Sequence, residues 1–285
     1  MILVFGKTGQ VARELQMLTD IVALNRSQAD LNDPQACADV IKQYEPIAVI
    51  NAAAYTGVDK AESEEELANL INGEAPGAMA KVCAKLNIPF VHTSSDYVFE
   101  GTGETAWRAT DQTNPQNAYG RSKQKGEEAI KSSGATYAIL RTSWVVSAHG
   151  NNFVKTMLHL LKTRESLTVV DDQIGGPTPA RDIAKACVEI AHQLINAPSK
   201  SGIYHLSGTP DVSWYSFANA IFEQVGRETI ALPIPTSEYS TPAKRPLNSR
   251  LDCNSTESIF NILRPSWREG LDNILRDLEK ENETA

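Results

Sequence analysis

The first twelve residues, MILVFGKTGQVA (residues 1–12), contain the pattern that decides the fold. An apolar run, Ile2–Phe5, is followed at once by a G-x-x-G-x-x-A turn and then by a helical pattern. Gly6 permits a tight turn, Gly9 lets backbone N–H groups approach a pyrophosphate, and the small Ala12 allows the helix to pack closely on the strand. The stretch predicts the first unit of a dinucleotide-binding fold; the alternative is a tight strand-to-helix turn without a ligand.

Beyond this unit, short apolar runs alternate with helical patterns, which is typical of βαβ units that build a parallel sheet. We predict strands at Ile2–Phe5, Ile21–Leu24, Ile47–Asn51, Phe90–Ser94 and Thr136–Arg141. Helices are predicted between them at Gln10–Leu18, Pro34–Tyr44, Gly73–Leu86 and Tyr119–Ser132. We expect right-handed crossovers. The predicted fold is therefore α/β, a Rossmann-type doubly wound parallel sheet.

The second half of the chain mixes helical and extended patterns and is interrupted by prolines. Helices are predicted near Asn152–Arg164, Ala180–Leu194, Trp214–Val225 and Arg268–Glu279, and strands near Leu167–Val170 and Ile203–Leu206. We expect residues 1–145, with segments that return later, to form the dinucleotide-binding domain. About residues 146–285 are expected to form most of a smaller, mixed substrate-binding lobe that is interwoven with the sheet.

The composition narrows the class of partner. Of 285 residues, 41% are hydrophobic and 22% are charged, as in ordinary globular proteins. The net charge of −8 disfavours nucleic acid and anionic membranes as partners. The four cysteines form no C-x-x-C pair, and neither an export signal nor an apolar run of membrane length is visible. We therefore expect free thiols and a cytoplasmic protein.

The end of the second predicted strand bears on the choice of dinucleotide. An acidic residue at this point would accept hydrogen bonds from the adenosine ribose of NAD, but the chain has Asn25 and Arg26. This pair favours the 2′-phosphate of NADPH; the alternative is an exposed arginine without a ligand, and use of NADH stays open. Asp30 and Leu31 suit the amino group and the ring of adenine. Ala53, among small residues after the third strand, leaves room for a cofactor.

A second pattern, Y-x-x-x-K at Tyr119 and Lys123, falls on a predicted helix, where a spacing of four places both side chains on one face. The ammonium of Lys123 can lower the pKa of Tyr119, so that the phenol exchanges a proton with a substrate oxygen. Alone, this pattern occurs on many surface helices by chance. Ser95, however, follows the fourth predicted strand, where open α/β sheets bind ligands. Together these residues predict a catalytic site.

The glycine turn, the strand-end serine and Y-x-x-x-K occur in the order and spacing of the extended short-chain dehydrogenase/reductase family, which the chain resembles. Within it, eight motifs resemble the dTDP-4-dehydrorhamnose reductases: GKTGQVA, VINAAAYTGVDKAE, SSDYVFEG, AYGRSKQKGE, LRTSWVVSAHGNNFVKTML, DDQIGGPT, GIYHLSG and TPAKRPLNSRLD. The resemblance covers residue 2 to about residue 252. The run from Arg141 to Leu158 and the TPAKRPLNSRLD segment are its specific parts, since the other motifs include ones common to the superfamily.

The resemblance implies an activity. In the family, NADPH delivers a hydride to C4 of dTDP-4-dehydro-β-L-rhamnose and gives dTDP-β-L-rhamnose, the last step of dTDP-L-rhamnose synthesis. Matched by position, Tyr119 is expected to protonate the C4 oxygen. Lys123 is expected to tune Tyr119 and to bind the nicotinamide ribose. Ser95 replaces a threonine that is usual in the family and is expected to hydrogen-bond to the sugar oxygen.

The resemblance also assigns residues around the reaction centre. The pyrophosphate turn matches Gly9, Gln10 and Val11, and a segment alongside the cofactor matches Ala54, Tyr55 and Thr56, with Tyr55 where some relatives have His. Substrate contacts are implied for Val58, Asp96 and Trp144, the last as an apolar platform for a deoxy sugar. The alternatives are a turn-capping Asp96 and a core Trp144. A basic cluster is expected either to contact the nucleotide end of the substrate or to lie on the surface without a ligand. Its members are Arg245, Asn248 and Arg250.

One difference from the family pattern bears on metal binding and on oligomeric state. Some members of the family are dimers with magnesium bridged by acidic side chains, and Glu14 matches one such position. Arg181 stands where those relatives have Glu, and a cation there opposes Mg²⁺ binding. The five histidines form no metal-ligand pattern and are interpreted as structural or exposed. We therefore expect no metal, and a monomer or a weak homodimer.

Other functions stay open at this point. A sugar-nucleotide epimerase or dehydratase shares the fold and recycles a tightly bound NAD, but such enzymes usually retain the acidic residue that Asn25 replaces. Another sugar-nucleotide reductase would fit the same motifs. The regulatory subunit of methionine adenosyltransferase also resembles these reductases and binds a dinucleotide without turnover. The intact set of Ser95, Tyr119 and Lys123 favours an enzyme.

Overall fold

The structure is a computed structural model that describes residues 1–18, 21–226 and 229–284, with side chains as far as residue 280. In the first half, five strands alternate with helices. The strands are β1 (Ile2–Phe5), β2 (Ile21–Leu24), β3 (Ala48–Asn51), β4 (Phe90–Ser95) and β5 (Tyr137–Thr142). The helices are α1 (Gln10–Leu15), α2 (Pro34–Tyr44), α3 (Val58–Ala61), α4 (Glu65–Asn69), α5 (Ala75–Leu86) and α6 (Ala118–Lys131). A π-helical turn spans Leu70–Glu74, and a 3₁₀ turn spans Asp96–Val98.

The second half contains shorter strands between longer helices. The strands are β6 (Val145–Val146), β7 (Ser166–Val170), β8 (Ile174–Gly175), β9 (Thr178–Pro179), β10 (Gly202–His205), β11 (Val212–Ser213), β12 (Ile230–Ile234) and β13 (Asn248–Ser249). The helices are α7 (Phe153–Leu160), α8 (Ala180–Asn196), α9 (Trp214–Gln224), α10 (Asn254–Phe260) and α11 (Trp267–Thr284). Two 3₁₀ turns lie at Pro198–Lys200 and Thr236–Glu238.

The central sheet has six parallel strands in the order β10-β5-β4-β3-β1-β2. Side chains alternate between its two faces, as the strand geometry requires. Ile2 and Val4 pack with residues of α1 and α8, whereas Leu3 and Phe5 pack with residues of α2 and α5. Each such side chain is at most 2% exposed and contributes roughly 1.5–3 kcal/mol through burial. The predicted Rossmann-type fold is confirmed.

The strand order reverses between β1 and β3, which lie side by side although β2 separates them in the chain. In open α/β sheets this arrangement leaves a crevice at the carboxyl ends of the strands, where ligands bind. The topology therefore directs attention to the residues that follow β1, β3, β4 and β5.

The second half contributes to both the sheet and a separate core. β10 joins the central sheet beside β5, and α8 covers one face of that sheet. The separate core forms around Phe217, Ile221 and Trp267, with α7, β7 and β12 packed around it. The domain division at residue 145 stays a prediction, and its far end, Ala285, lies outside the described residues. Among those described, no helix combines the length and apolar character needed to cross a bilayer.

Some elements differ from those predicted. α3, α4 and the π-helical turn precede α5, in a stretch whose acidic run gave no apolar period. Five strands have only two residues, too few to show an alternation. β12 contains Pro233, which argues against a strand in a sequence, but it pairs only with β7 in a two-stranded sheet, where a proline is tolerated.

Candidate active site

A cavity of about 680 Å³ opens at the carboxyl ends of the central strands. Its volume is in the range of small-molecule sites. Apart from Tyr55, every residue predicted for catalysis, cofactor binding or sugar binding lines it: Gly6, Gly9, Gln10, Val11, Asn25, Arg26, Asp30, Leu31, Ala53, Ala54, Thr56, Val58, Ser95, Asp96, Tyr119, Lys123 and Trp144. The fold thus brings together residues from the glycine turn, from four strand ends and from α6.

Tyr55 points away from the cavity. Its ring packs in a cluster with Ala61, Ala68 and Ala118, and its hydroxyl donates to Glu64 Oε2 at 2.8 Å. The neighbouring residues 54 and 56 do line the cavity, as expected where successive side chains of an extended chain face opposite sides. The same alternation could have predicted from the sequence that the Tyr55 side chain faces away from the cavity. In this structure the Tyr55 side chain stabilises α3 and α4 against α6.

The glycine turn has the geometry of an anion-binding loop. Gly6 has φ of +104°, and a Cβ there would lie 3.0 Å from the backbone of Ala53, so only glycine fits without strain. Gly9 caps α1 without a side-chain hydrogen bond, so the first N–H groups of α1 have no capping side chain. Gln10 Oε1 accepts hydrogen bonds from Ser147 Oγ and Asn152 Nδ2, which links the turn to the second half of the chain.

The end of β2 presents a cation at the cavity rim. Asn25 Oδ1 accepts from Ser27 Oγ at 2.7 Å and from the Gln28 N–H at 3.1 Å, so the Asn25 side chain caps its own turn. The Arg26 side chain is 75% exposed, and its Nε lies 3.2 Å from Asp30 Oδ2. The Asn32 N–H, together with Arg26, lowers the pKa of Asp30, and the carboxylate is therefore ionised at neutral pH.

Helix α6 is fixed by close backbone contacts on both sides. Asn117 caps its start, because Oδ1 accepts from the Gly120 N–H at 2.8 Å. A Cβ on Gly120 would lie 2.2 Å from the Tyr97 carbonyl oxygen, and one on Gly126 would lie 2.1 Å from that of Asn72. Such approaches admit only glycine. They place α6 between the 3₁₀ turn after β4 and the π-helical turn.

Tyr119 stands on α6 at the cavity wall, edge-on to Tyr97 with ring centroids 5.4 Å apart. Burial raises the pKa of Tyr119, and the Ser95 hydroxyl opposes this rise. Tyr119 is therefore a protonated phenol, the state required of a proton donor. Lys123 Nζ donates to the Thr93 carbonyl at 2.8 Å and faces His92. That Lys123 lowers the pKa of Tyr119 stays a prediction.

Lys123 is 1% exposed, and burial lowers its pKa to about 8, against the opposing effect of Glu127. Glu127 is itself paired with Arg141 through two hydrogen bonds, Nε to Oε1 at 2.9 Å and Nη2 to Oε2 at 2.6 Å. Ser94 Oγ donates to the same Oε1 at 2.6 Å. Lys123 consequently exchanges its proton close to neutral pH.

The cavity lining also includes a buried acid and an aromatic side chain. Burial raises the pKa of Asp96 to about 6, opposed by the hydroxyls of Ser249 and Ser95. Ser95 Oγ donates to Asp96 Oδ1 at 3.0 Å, while Asp96 Oδ2 has no partner with hydrogen-bond geometry in the described chain. Trp144 stacks on Trp214 with centroids 3.5 Å apart. A carboxyl group and an indole thus both line the cavity.

Trp144 has φ of +49°, which is rare for a bulky residue and occurs mainly at functional sites. Its ring has room because Gly175 lacks a side chain; a Cβ there would lie 3.0 Å from Trp144 Cε2. Its carbonyl accepts from the Thr178 N–H at 3.0 Å. Neighbouring elements therefore impose this conformation and orient the indole.

The basic cluster lies outside the cavity. Arg245 Nη2 donates to Asp59 Oδ2, and Arg245 Nη1 donates to the Tyr97 hydroxyl at 3.3 Å. Arg250 Nη1 donates to Asn248 Oδ1 at 3.0 Å. Arg245 therefore ties the 240–247 segment to α3 and to the turn after β4.

Arg181, which stands where some relatives have Glu, forms ion pairs with two carboxylates. Arg181 Nε donates to Glu14 Oε2 at 3.0 Å, and Nη2 donates to Asp277 Oδ2 at 2.8 Å. Glu14 is 4% exposed and also faces His149 Nε2 at 3.8 Å. The guanidinium thus lies between two carboxylates from α1 and α11.

Comparison with known proteins places this site in a family. A family model described as the RmlD substrate binding domain matches residues 1–280. The dTDP-4-dehydrorhamnose reductase of Escherichia coli K12 is 40% identical over 291 residues, covering 97% of each chain. The chain belongs to the dTDP-4-dehydrorhamnose reductase (RmlD) family. The reductase of the same name from Burkholderia thailandensis is 42% identical, covering 97% of this chain and 98% of the relative.

Solved structures of RmlD-family reductases have the same fold. A dTDP-4-dehydrorhamnose reductase from Clostridium acetobutylicum superposes with a TM-score of 0.91 at 34% identity, covering 98% of this chain and 99% of that one. The reductase from Bacillus anthracis, solved in complex with NADP, gives 0.89 at 34% identity, covering 97% and 98%. This RmlD-family chain is accordingly an oxidoreductase.

The sequence did not point to several residues around this RmlD-family site. His92, interpreted as structural or exposed, is fully buried against Lys123, and Asn51, Glu127 and Arg141 form the polar surroundings. The available signal was a polar residue near the carboxyl end of an otherwise apolar buried strand. Further cavity residues could have been found as strand-end neighbours of predicted ones: Thr93, Ser94, Thr142 and Ser143.

Proposed function

We propose that this chain reduces the C4 ketone of dTDP-4-dehydro-β-L-rhamnose with NADPH and forms dTDP-β-L-rhamnose. The observation that carries the proposal is that Tyr119, Ser95 and Lys123 line one cavity. The glycine turn, Asp96 and Trp144 line the same cavity. Relatives of 40–42% identity over nearly the whole chain have the name of this reductase.

The cavity fits a dinucleotide. The close approach of Gly6 to Ala53 and the uncapped start of α1 leave backbone N–H groups for a pyrophosphate. When bound, NADPH supplies the hydride. Arg26 would pair with the 2′-phosphate and Asp30 would accept from the adenine amino group. Without a carboxylate at position 25 to recognise the ribose of NAD, NADPH is the preferred cofactor and NADH a weaker one.

The side chains of the chain supply the proton and the orientation. As the C4 carbonyl gains a hydride on carbon, the Tyr119 hydroxyl gives its proton to the oxygen, and the C=O group becomes CH–OH. Ser95 Oγ donates a hydrogen bond to the same oxygen and stabilises its developing charge. The Asp96 carboxyl group, whose Oδ2 has no partner with hydrogen-bond geometry in the described chain, accepts from a sugar hydroxyl. Val58 and Trp144 pack against the apolar side of the sugar.

The first experiment follows NADPH absorbance after addition of dTDP-4-dehydro-L-rhamnose, generated in place by its upstream epimerase, with NADH in parallel. Oxidation coupled to formation of dTDP-rhamnose, faster with NADPH, is the expected result. Binding of NADPH without oxidation would instead point to another sugar nucleotide or to a regulatory subunit. Tyr119→Phe should lose at least about a hundredfold in turnover, with the Kd for NADPH nearly unchanged.

We further infer that the reaction needs no metal. Arg181 places a cation between Glu14 and Asp277, and this arrangement repels a divalent cation from these carboxylates. Activity should persist after dialysis against EDTA, whereas its loss, with recovery on addition of Mg²⁺, would reject this inference. The proposed monomer or weak homodimer is tested by sedimentation velocity. Four free, buried thiols support a location in the reducing cytoplasm.

A further inference from the structure

His92 contacts Lys123, and its contacts affect whether Lys123 is protonated. His92 is fully buried on β4, between Asn51 on β3 and Lys123 on α6. Asn51 Nδ2 lies 3.1 Å from His92 Nδ1, and His92 Nε2 lies 3.2 Å from Lys123 Nζ. The imidazole therefore bridges a strand-end amide and the lysine of the Y-x-x-x-K pair.

The orientation of the Asn51 amide fixes the tautomer of His92. The Ala53 N–H donates to Asn51 Oδ1 at 3.1 Å, so Oδ1 faces the backbone and the NH₂ group faces the imidazole. An NH₂ group can only donate, so His92 Nδ1 must accept, and the proton of the neutral ring is on Nε2. That N–H points at Lys123 Nζ. A neutral amine can accept this hydrogen bond, whereas an ammonium has no lone pair to do so.

The charged and titratable groups near Lys123 allow it to become neutral. Burial and the charge of Lys123 hold the pKa of His92 well below its usual range, so His92 does not compete for the proton. The anion of Glu127 favours the ammonium, but Glu127 is already paired with Arg141 from β5. The remaining groups at this wall of the cavity are Tyr119, Asp96 and Tyr97.

We propose that His92, oriented by Asn51, is a positioning residue that stabilises Lys123 as a neutral amine and so sets the pH at which Lys123 loses its proton. On deprotonation the Lys123 ammonium gives its proton to water, and Nζ becomes an amine that accepts from His92 Nε2–H. The effect on turnover rests on the proposed function, because the ammonium is the form of Lys123 expected to act with Tyr119.

The tautomer can be measured without any substrate. In protein labelled with ¹⁵N-histidine, two-bond ¹H–¹⁵N correlations should show His92 neutral at pH 6–8, with the proton on Nε2. A proton on Nδ1, or a charged ring, would overturn the proposal. This readout stays valid if the sugar nucleotide is misidentified, because it needs only the folded chain.

His92→Gln tests the effect on Lys123. A glutamine amide oxygen can accept from Nζ and stabilise the ammonium, so the pKa of Lys123, followed by its ¹³Cε shift, should rise by about one unit. Since the ammonium is the form of Lys123 expected to act with Tyr119, kcat should fall at correspondingly higher pH than in wild type, with KM for NADPH unchanged. An unmoved lysine titration in the folded variant would refute the proposal.

His205→Gln is the matched control. His205 is as deeply buried, but its ring contacts the Trp107 carbonyl and Arg141 rather than Lys123. The Lys123 titration should be the same in this variant as in wild type, and an equal shift would assign the effect to general loosening of the core. If the wild-type protein shows the expected His92 tautomer but does not reduce the ketone, only the proposed function is rejected.

Discussion

Glu127 on α6 forms a buried ion pair with Arg141 on β5. Removing the negative charge of Glu127 should change both the free energy of unfolding and the pH dependence of kcat. Both side chains are 3% exposed, and two hydrogen bonds of 2.9 and 2.6 Å join them. The Ser94 hydroxyl also donates to this carboxylate. Glu127→Gln keeps the shape of the side chain, but it replaces one charged acceptor oxygen with an NH₂ group that faces the guanidinium or the Ser94 hydroxyl.

The expected loss follows from the charge left behind. Breaking a buried pair by removing one partner costs about 3–5 kcal/mol, because the remaining charge is not compensated. Arg141 keeps three weaker contacts: the Ala109 carbonyl at 3.3 Å, His205 Nε2 at 3.5 Å and the Phe99 ring at 4.8 Å. We therefore expect about 3 kcal/mol. At roughly 2 °C per kcal/mol for a chain of this size, the melting temperature should fall by about 6 °C.

The same substitution affects the proton state of Lys123. Glu127 favours the ammonium, so without it the pKa of Lys123 should fall below about 8. Because turnover needs protonated Lys123, kcat should begin to fall at lower pH than in wild type. This shift is opposite in sign to that expected for His92→Gln.

Thermal unfolding at pH 7 and a pH profile of kcat measure both effects. Glu128→Gln is the matched control, since Glu128 is the next residue on α6 and is exposed. It makes the same chemical change and should alter the melting temperature by less than about 1 °C. A fall of under about 2 °C in Glu127→Gln would refute the reasoning, because it would show that the buried guanidinium does not need this carboxylate.

Three further substitutions test the site. The pKa of Asp96 is raised to about 6, so its carboxylate destabilises the fold increasingly between about pH 4 and pH 6. Asp96→Asn should therefore raise the melting temperature at pH 7.5 but not at pH 4, and the gain in unfolding free energy at pH 7.5 should be about 2–3 kcal/mol. The same substitution should weaken substrate binding. Trp214→Ala removes the stack behind Trp144 and should raise KM for the sugar nucleotide about fivefold, with KM for NADPH unchanged. Gly126→Ala puts a methyl group 2.1 Å from the Asn72 oxygen and should lower unfolding free energy, measured in urea, by about 3 kcal/mol or more.

The parts of the fold that could be predicted from the sequence are those set by local patterns. β1 and β2 begin and end as predicted, because a short apolar run bounded by turns needs no partner to be recognised. The position of Ser95 followed from the rule that ligands meet the carboxyl ends of parallel strands. Tyr119 and Lys123 followed from helical spacing. Each of these inferences used residues that are close together in the chain.

The surroundings of Lys123 needed information that no local pattern contains. Asn51 and His92 are 41 residues apart, and they are neighbours because β3 and β4 pair with residue 51 opposite residue 92. The same holds for Ser94 and Arg141, which are opposite each other in the pairing of β4 with β5. Once the strand order is known, polar residues near the ends of adjacent buried strands can be matched by register. The proton state of Lys123 is therefore a property of sheet order, and it could not have been read from the Y-x-x-x-K spacing.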